Sequence, residues 1–487
     1  MTARATAARR RAVRRARPRR SGVAPAAAFR RRRRRVRRPP QSMALRPMTL
    51  EMVDRLFWRA GFGPNDEVRR RWAGKALGQA VTWLLSTPQS LAGAEPTNNG
   101  RPLDPRNNDT DLVLSWLDRM VRGQNPLHER LTFFWHRHFA TSRDDVSPPQ
   151  LMLRQNDLFR RYGDLAATPD ADFRRLVHEV TEDPAMLRFL TGELNVKGRP
   201  NENYARELME LFTLGVADEQ GRPNYSEDDV KELARALSGW RIDTSNPDAP
   251  GSFLDPARFD TGVKTFLGRS GAFDDRGAVD VVLAHPAHPR FLLRKLWGEF
   301  VQSTPDEATL ADLADTYLRQ GMRIRPVVRK ILLHPLLYES LGEPNMIKPP
   351  VVFVAGAMRA LGLGVTSATP VTQLSAMGQR PYFPPDVSGW EYGPAWLTTN
   401  TALSRVRFAA AMVTSPQIAP QDVPFETPAQ AYERAHLATA RQWASADTKA
   451  RLVGYATRAP GATPRQRLVR QLVLRTLMLS GPDGQVM

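Results

Sequence analysis

The sequence predicts a mainly α, multi-helical globular fold with long ordered loops and little or no β-sheet. Apolar residues recur at intervals of three and four, as at Leu127, Leu131 and Phe134, which is the spacing of one helix face. Helix start signals are present, since Ser226 and Asp229 have the spacing of a capping box. The 40 prolines divide the chain into short helices, and no strand ladder is evident.

The composition is that of a folded protein without cysteine chemistry. A chain of 487 residues with 41% hydrophobic content can bury at least one large core. The absence of cysteine excludes disulfides, thiolate metal ligands and cysteine nucleophiles. No apolar run approaches the roughly 18 residues of a membrane-spanning helix, so none is predicted.

Residues 1–42 carry most of the net charge. They contain 17 arginines and no acidic residue, which leaves 53 basic and 50 acidic residues in the rest of the chain. We predict a disordered arginine-rich tail, because such a segment cannot bury apolar surface. The tail either attracts nucleic acid or anionic lipid, or it results from a misassigned start, with Met43 or Met48 as the true first residue. We favour the misassigned start, since basic runs are frequent false positives for binding.

No credible signal peptide is evident in the sequence as written. The apolar stretch after Arg19 and Arg20 is short and is interrupted by Pro25, whereas an export signal needs an uninterrupted apolar region. The default localisation is therefore cytoplasmic. If the start is misassigned, a true leader could also have been lost.

Residues 49–487 are the predicted folded region. We expect a single multi-helical domain, or two lobes with a looser segment near 416–428. The segments 241–275 and 376–400 are rich in proline, glycine, aspartate and tryptophan, so we predict long ordered loops there.

The segment FFWHRHFATS, 133–142, places two histidines on a helix predicted to begin at Pro126. His138 falls on the apolar stripe, and His136 points about 160° away from it. A histidine on an apolar face needs a hydrogen-bond partner. His138 is therefore either a satisfied core residue or a ligand or general base in a dry pocket. The two histidines cannot chelate one ion together while they are helical.

The segment PNENYARELMELFTLG, 200–215, is predicted to form an amphipathic helix. Asn201 is a suitable cap for its start, and Gly215 can close its end. The polar face carries opposite charges four residues apart, which alone indicates a solvated, salt-bridged surface. Its members are Glu202, Asn203, Arg206, Glu207, Glu210 and Thr213.

Common catalytic motifs assign no reaction to the chain. HERLT at 128 and HEVTE at 178 lack the second histidine of a zinc-protease helix. Ser238 and Ser388 precede Gly-Trp but lack the first glycine of a nucleophile elbow. These patterns identify neither a metal nor a cofactor.

Six segments form an ordered set of motifs. They are RLFWRAGFGP (55–64), FFWHRHFATS (133–142), PNENYARELMELFTLG (200–215), YSEDDVKELARALSGW (225–240), FDTGVKTFLGR (259–269) and PPDVSGWEYGPAWL (384–397). Together they resemble the bacterial family catalogued as domain of unknown function 1800, over roughly residues 49–487. The chain departs from the family at Glu391-Tyr392-Gly393, where a glycine pair is common, and in the C-terminal GPDGQ.

The resemblance implies no established activity. Members are often exported and are often encoded beside a second family similar in fold to alkaline phosphatases and sulfatases. The resemblance also favours a 200–215 polar face that is buried or lines a cleft, because a merely solvated face has no reason to be a signature. The pattern residues carried over are Arg59, His136, His138, Asn201, Glu202, Asn203, Arg206, Glu207, Glu210, Asp260, Lys264, Asp386, Trp390 and Trp396.

Three functions fit these observations. We favour an accessory or scaffold of a phosphatase- or sulfatase-like partner at the cell envelope. A second function is nucleic-acid binding through the tail. The third is a hydrolase-type enzyme, with or without a metal, whose pocket combines His136 or His138 with Glu202, Asn203, Arg206, Glu207 or Glu210.

The predicted contact surface for a partner lies in the 384–397 loop. It consists of Asp386, Trp390 and Trp396. Within it we expect Trp390 to be a buried anchor beside Gly389, and Trp396 to be exposed for contact with a protein or a sugar.

Overall fold

The computed structural model defines most of the chain after the tail. The predicted tail, 1–42, lies outside the described residues, as do residues 419–422 of the predicted looser segment. Whether the folded region forms one domain or two lobes stays a prediction. The described residues are 43–246, 248–391, 393–418 and 423–487.

The fold is mainly α, as predicted. Side-chain caps begin many of the helices, and the predicted capping box of Ser226 and Asp229 is confirmed at the start of α10 (Glu227–Ala236). The helices before it are α1 (Leu50–Arg59), α2 (Asp66–Trp72), α3 (Leu77–Ser86), α4 (Asp109–Arg122), α5 (Pro126–His138), α6 (Pro149–Gly163), α7 (Phe173–Thr181), α8 (Pro184–Phe189) and α9 (Asn203–Glu207). Those after it are α11 (Asp275–Leu283), α12 (Ala287–Phe300), α13 (Glu307–Arg319), α14 (Ile324–Leu332), α15 (Pro350–Leu361), α16 (Thr369–Ala376), α17 (Thr399–Val413), α18 (Pro428–Ala438), α19 (Ala446–Arg458) and α20 (Pro464–Ser480).

The strands form small antiparallel hairpins. Two hairpins lie in or beside the predicted loop 241–275, so backbone hydrogen bonds order much of this segment. The pairs are β1 (Thr97–Asn98) with β2 (Arg101–Pro102), β3 (Trp240–Asp243) with β4 (Gly251–Leu254), and β5 (Lys264–Phe266) with β6 (Arg269–Gly271).

The 200–215 segment is less regular than the predicted single α-helix. Helix α9 is followed directly by a π-helix, Leu208–Thr213. The N–H of Leu214 donates to the carbonyl oxygen of Met209, five residues earlier, at 2.8 Å. This wider turn shifts the side chains away from a projection that assumes 100° per residue. Gly215 ends the segment with a φ of 78°, in the left-handed region expected of a closing glycine.

Helix α5 lies between the two largest hydrophobic cores. Its Leu127, Leu131 and Phe134 pack into the first core, which is built mainly from α1, α3, α7 and α9 to α14. Its Phe133 packs into the second core, with α4, α15, α16 and α17. Helices α18 to α20 enclose a third, smaller core. Helix α5 is therefore buried on nearly all sides, not on the single stripe that the sequence indicates.

Charged residues of α5 are buried as hydrogen-bonded ion pairs. Glu129 accepts from Trp116 Nε1 at 2.8 Å and from Arg119 Nε at 2.9 Å. Arg130 Nε lies 2.7 Å from the carboxylate of Glu299 on α12. Such pairing allows charged groups inside a core, because each buried charge has an opposite neighbour.

Candidate functional site

His136 is a hydrogen-bond acceptor inside an aromatic cluster. Its Nε2 accepts from the backbone N–H of Tyr382 at 3.0 Å, so the proton of the neutral ring is on Nδ1. The rings of Trp116, Tyr382 and Trp390 lie 5.2, 5.7 and 5.6 Å from the imidazole. Burial lowers the pKa of His136 to about 3. The neutral ring thus joins α5 to the loop that leads to Trp390.

His138 joins α5 to the π-helix. Its Nε2 donates to the carbonyl oxygen of Phe212 at 2.9 Å, since a carbonyl only accepts. The other ring nitrogen, Nδ1, is then an acceptor, and it has no hydrogen-bond partner among the residues that the structure describes. Burial, and after it the charge of Lys295, hold the pKa of His138 well below its usual value.

His138 lines a cavity of about 280 Å³, which we call the motif cavity. Residues of the 133–142 and 384–397 segments meet in its wall. Lys295 of α12 connects this wall to the 200–215 segment, because its Nζ donates to the carbonyl oxygen of Leu211 at 2.7 Å. Two of the six sequence motifs therefore line the cavity, and a third contacts its wall. The wall includes Arg137, His138, Lys295, Ser388, Trp390 and Glu391.

Lys295 is a cation of the motif cavity without an acidic partner. In the described part of the chain, no carboxylate lies within salt-bridge distance of its Nζ. Arg137, by contrast, lies 3.6 Å from a carboxylate oxygen of Glu299 and donates from Nε to the carbonyl of Trp390 at 3.3 Å. Burial, then the charge of Arg137, lower the pKa of Lys295 to about 8. Burial lowers the pKa of Arg137 to about 9, so both groups are mostly charged at neutral pH.

A tight turn places Trp390 in the cavity wall. The carboxylate of Asp386 accepts from the backbone N–H of Ser388 at 2.8 Å and from its hydroxyl at 2.5 Å. Gly389 has a φ of 82°, and a Cβ at this position would lie 2.9 Å from a carbonyl oxygen of α5. Glycine is therefore required. The ring of Trp390 stacks on Phe133, with centroids 5.7 Å apart.

Both tryptophans of the predicted contact surface are buried. Trp390 is 3% exposed, as expected of an anchor, but Trp396 is only 6% exposed. The expectation that Trp396 is exposed is therefore wrong. The short 3-10 helix Gly393–Trp396 places the indole of Trp396 in the second core. The backbone carbonyl oxygen of Trp396 accepts from the Thr401 hydroxyl at 2.9 Å. Asp386 is exposed, so it is the one residue of the three at the surface.

The polar residues of the 200–215 segment form a network of their own. Arg206 donates to Glu227 at 2.8 and 2.7 Å and to Glu202 at 3.2 Å. Glu210, the other acid four residues from Arg206, instead accepts from the hydroxyl of Tyr225 at 2.9 Å. Much of this face is thus the salt-bridged surface that the charge pattern indicates.

The histidines contact the 200–215 segment through its backbone and not through its polar side chains. Among those side chains, Asn203 donates from Nδ2 to the Thr191 hydroxyl at 3.0 Å. Glu207 is half-buried, and burial raises its pKa. Within the described ranges, neither histidine hydrogen-bonds to these polar side chains. The structure therefore brings the two motifs together at His138 and Phe212 and does not pair their side chains.

Other residues of the family pattern hold neighbouring elements together. Lys264 is fully buried and donates from Nζ to the carbonyl oxygens of Asp260 and Phe273. The carboxylate of Asp260 lies 3.0 Å from Arg235 Nε on α10. Arg59 donates to backbone carbonyls, including that of Phe300 at 3.0 Å. These contacts are structural, because they fix the β5–β6 hairpin and the end of α12.

The described ranges contain no candidate for a metal cluster or for a membrane span. No group of three or more His, Asp or Glu residues there is arranged to hold a metal ion. None of the described helices is long and apolar enough to cross a bilayer.

Comparison with known proteins identifies the family. No curated protein and no solved structure matches the sequence. The family described as Protein of unknown function (DUF1800) matches residues 55–486. This match covers well over half of the 487 residues, so the chain belongs to that family, as the six motifs predict.

Proposed function

We propose that this protein binds a tetrahedral oxyanion in the motif cavity and acts as an accessory to a phosphatase- or sulfatase-like partner at the cell envelope. The anion is the phosphate or sulfate group of an ester that the protein presents to this partner. The observation that carries the proposal is Lys295, a mostly buried ammonium that lines the cavity without an acidic partner among the described residues.

The charge balance of the cavity favours an anion. Glu299, the buried carboxylate beside Arg137 among the described residues, also pairs with Arg130 at 2.7 Å. Glu391 lies at the exposed rim. An unbalanced cation in poorly hydrated surroundings is costly, and a bound anion offsets that cost.

The size of the motif cavity also suits an anionic group. The volume of about 280 Å³ suits the anionic group itself, with the rest of the ester outside.

Calorimetric titration with sodium sulfate and with sodium phosphate tests the binding. We expect Lys295→Gln to weaken sulfate binding at least about tenfold, the loss typical of a charge-assisted hydrogen bond. The control is Arg294→Gln, which removes the neighbouring exposed cation, paired with Glu219. Sulfate affinity should also fall as pH rises through about 8, because Lys295 then loses its proton. Unchanged sulfate affinity in Lys295→Gln would refute the site.

The accessory role is tested separately with a phosphatase- or sulfatase-like protein of the kind that the family resemblance implies as a neighbour. We expect the wild-type protein to increase the rate at which that enzyme hydrolyses a phosphate or sulfate ester, and Lys295→Gln to lose this effect. A rate that the wild-type protein leaves unchanged would refute the accessory role while leaving anion binding intact.

A further inference from the structure

A second cavity of about 610 Å³ lies beside the β3–β4 hairpin, and we call it the hairpin cleft. Helix α6, the junction of α7 and α8, and the hairpin form its wall, and it shares no lining residue with the motif cavity. Trp240 enters it from the first residue of β3. The preceding Gly239 has a φ of 92°, and a Cβ there would lie 2.9 Å from the backbone nitrogen of Phe259. The Gly-Trp pair of the 225–240 motif is thus built to place this indole in the wall.

The wall of the cleft carries polar side chains beside the indole of Trp240. They include Arg154, Asp157, Glu182 and Ser252. Together these groups offer both donors and acceptors, so the wall suits a ligand that both donates and accepts. Hydroxyl groups do both.

The charged residues of the cleft largely neutralise one another. The contacts that do so are Arg106 with Asp248, Arg161 with Glu179, Arg160 with Asp157, and Arg276 with Glu182. Arg154 donates to the carbonyl oxygen of Pro250 at 2.9 Å. The cleft therefore has no excess positive charge comparable to that of the motif cavity, so an uncharged ligand suits it.

The carboxyl group of Asp183 also lines the cleft. Its Oδ1 accepts from the backbone N–H of Met186 at 3.0 Å and from Gln155 Nε2 at 2.9 Å. Burial raises the pKa of Asp183 to about 6. These side chains suit a sugar ring. Carboxyl, guanidinium and amide groups bind its hydroxyls, and a partly exposed tryptophan packs against its apolar face.

We propose that the hairpin cleft binds a neutral carbohydrate, with one sugar ring against the indole of Trp240 and its hydroxyls bonded to the polar side chains of the wall, Asp183 among them. This site is independent of the anion proposal. Its occupant is an oligosaccharide, because the volume exceeds that of a single sugar ring.

The test is a glycan array followed by calorimetry of the full chain with cellohexaose, xylohexaose, chitohexaose and maltohexaose. We expect at least one neutral glycan to bind. Trp240→Ala should weaken its binding at least about tenfold, as expected of a central aromatic contact. Trp240→Phe keeps a ring but removes the N–H, so its loss should be smaller.

The matched control is Trp443→Ala, which truncates a half-buried tryptophan that lines a different cavity. It should leave glycan binding unchanged. Circular dichroism and the midpoint of urea unfolding report whether each variant is folded. The proposal is overturned if no neutral glycan binds the wild-type protein, if only anionic glycans bind, or if folded Trp240→Ala binds as tightly as the wild type.

Discussion

Replacement of His136 by phenylalanine should change how stability depends on pH. The folded-state pKa of His136 is about 3, below the value of about 6.5 expected in the unfolded chain. Between these values the unfolded chain binds more protons than the folded protein. The stability contributed by the neutral ring is therefore present above about pH 6.5 and is lost as the pH falls.

The magnitude follows from the size of the pKa difference. Each unit corresponds to about 1.4 kcal/mol, so His136 alone costs the folded protein about 2 kcal/mol by pH 5 and about 5 kcal/mol when fully protonated. His136→Phe removes this loss. It also leaves the buried N–H of Tyr382 without its acceptor, which costs about 1–3 kcal/mol at every pH.

The two effects predict curves that cross. Near pH 7.5 the variant should be less stable than the wild type by about 1–3 kcal/mol, and near pH 5 the two should be about equal. Urea unfolding, followed by tryptophan fluorescence at several pH values, measures this difference. Phe133→Leu, which truncates a buried neighbour without a titrating group, should lower stability equally at every pH. A constant difference between His136→Phe and the wild type would show that His136 is not a buried neutral acceptor.

Two further substitutions test the structural assignments. Trp390→Ala and Trp396→Ala should each lower the free energy of unfolding, measured in urea, by about 3–5 kcal/mol, because both rings are buried in the second core. A small loss for Trp396→Ala would support Trp396 as a contact residue. Arg206→Ala should cost less than about 1 kcal/mol in the same assay, since its main partner, Glu227, is exposed, and a larger loss would mean that this network supports more than the surface.

The features that sequence predicts well here depend on local chemistry. The capping box at Ser226 and the glycine at 215 act within one turn, so their residue types specify them. The residue types do not predict the π-helix at 208–213, because over six residues its apolar positions also fit one face of an α-helix. The burial of α5 on nearly all sides was missed because its charged residues find partners on other helices.

The site was only partly predictable for the same reason. His138 could be identified, because a histidine on an apolar stripe needs a partner. That partner is the backbone carbonyl of Phe212. Every residue has a backbone carbonyl, so the residue types do not show which one His138 contacts. Lys295 belongs to none of the six motifs, so only the fold shows that it reaches the carbonyl of Leu211 and the cavity beside His138.

The position of Lys295 also links stability to binding. Its pKa of about 8 lies below its usual value of 10.5, so the folded protein binds fewer protons there than the unfolded chain between these values, and stability rises with pH across this window. At neutral pH the charged ammonium thus costs roughly 3 kcal/mol relative to a freely solvated lysine. An anion in the motif cavity recovers part of that free energy by restoring a favourable environment for the charge. In the proposed complex, Lys295, which has no acidic partner among the described residues, is therefore the main source of affinity for the anion.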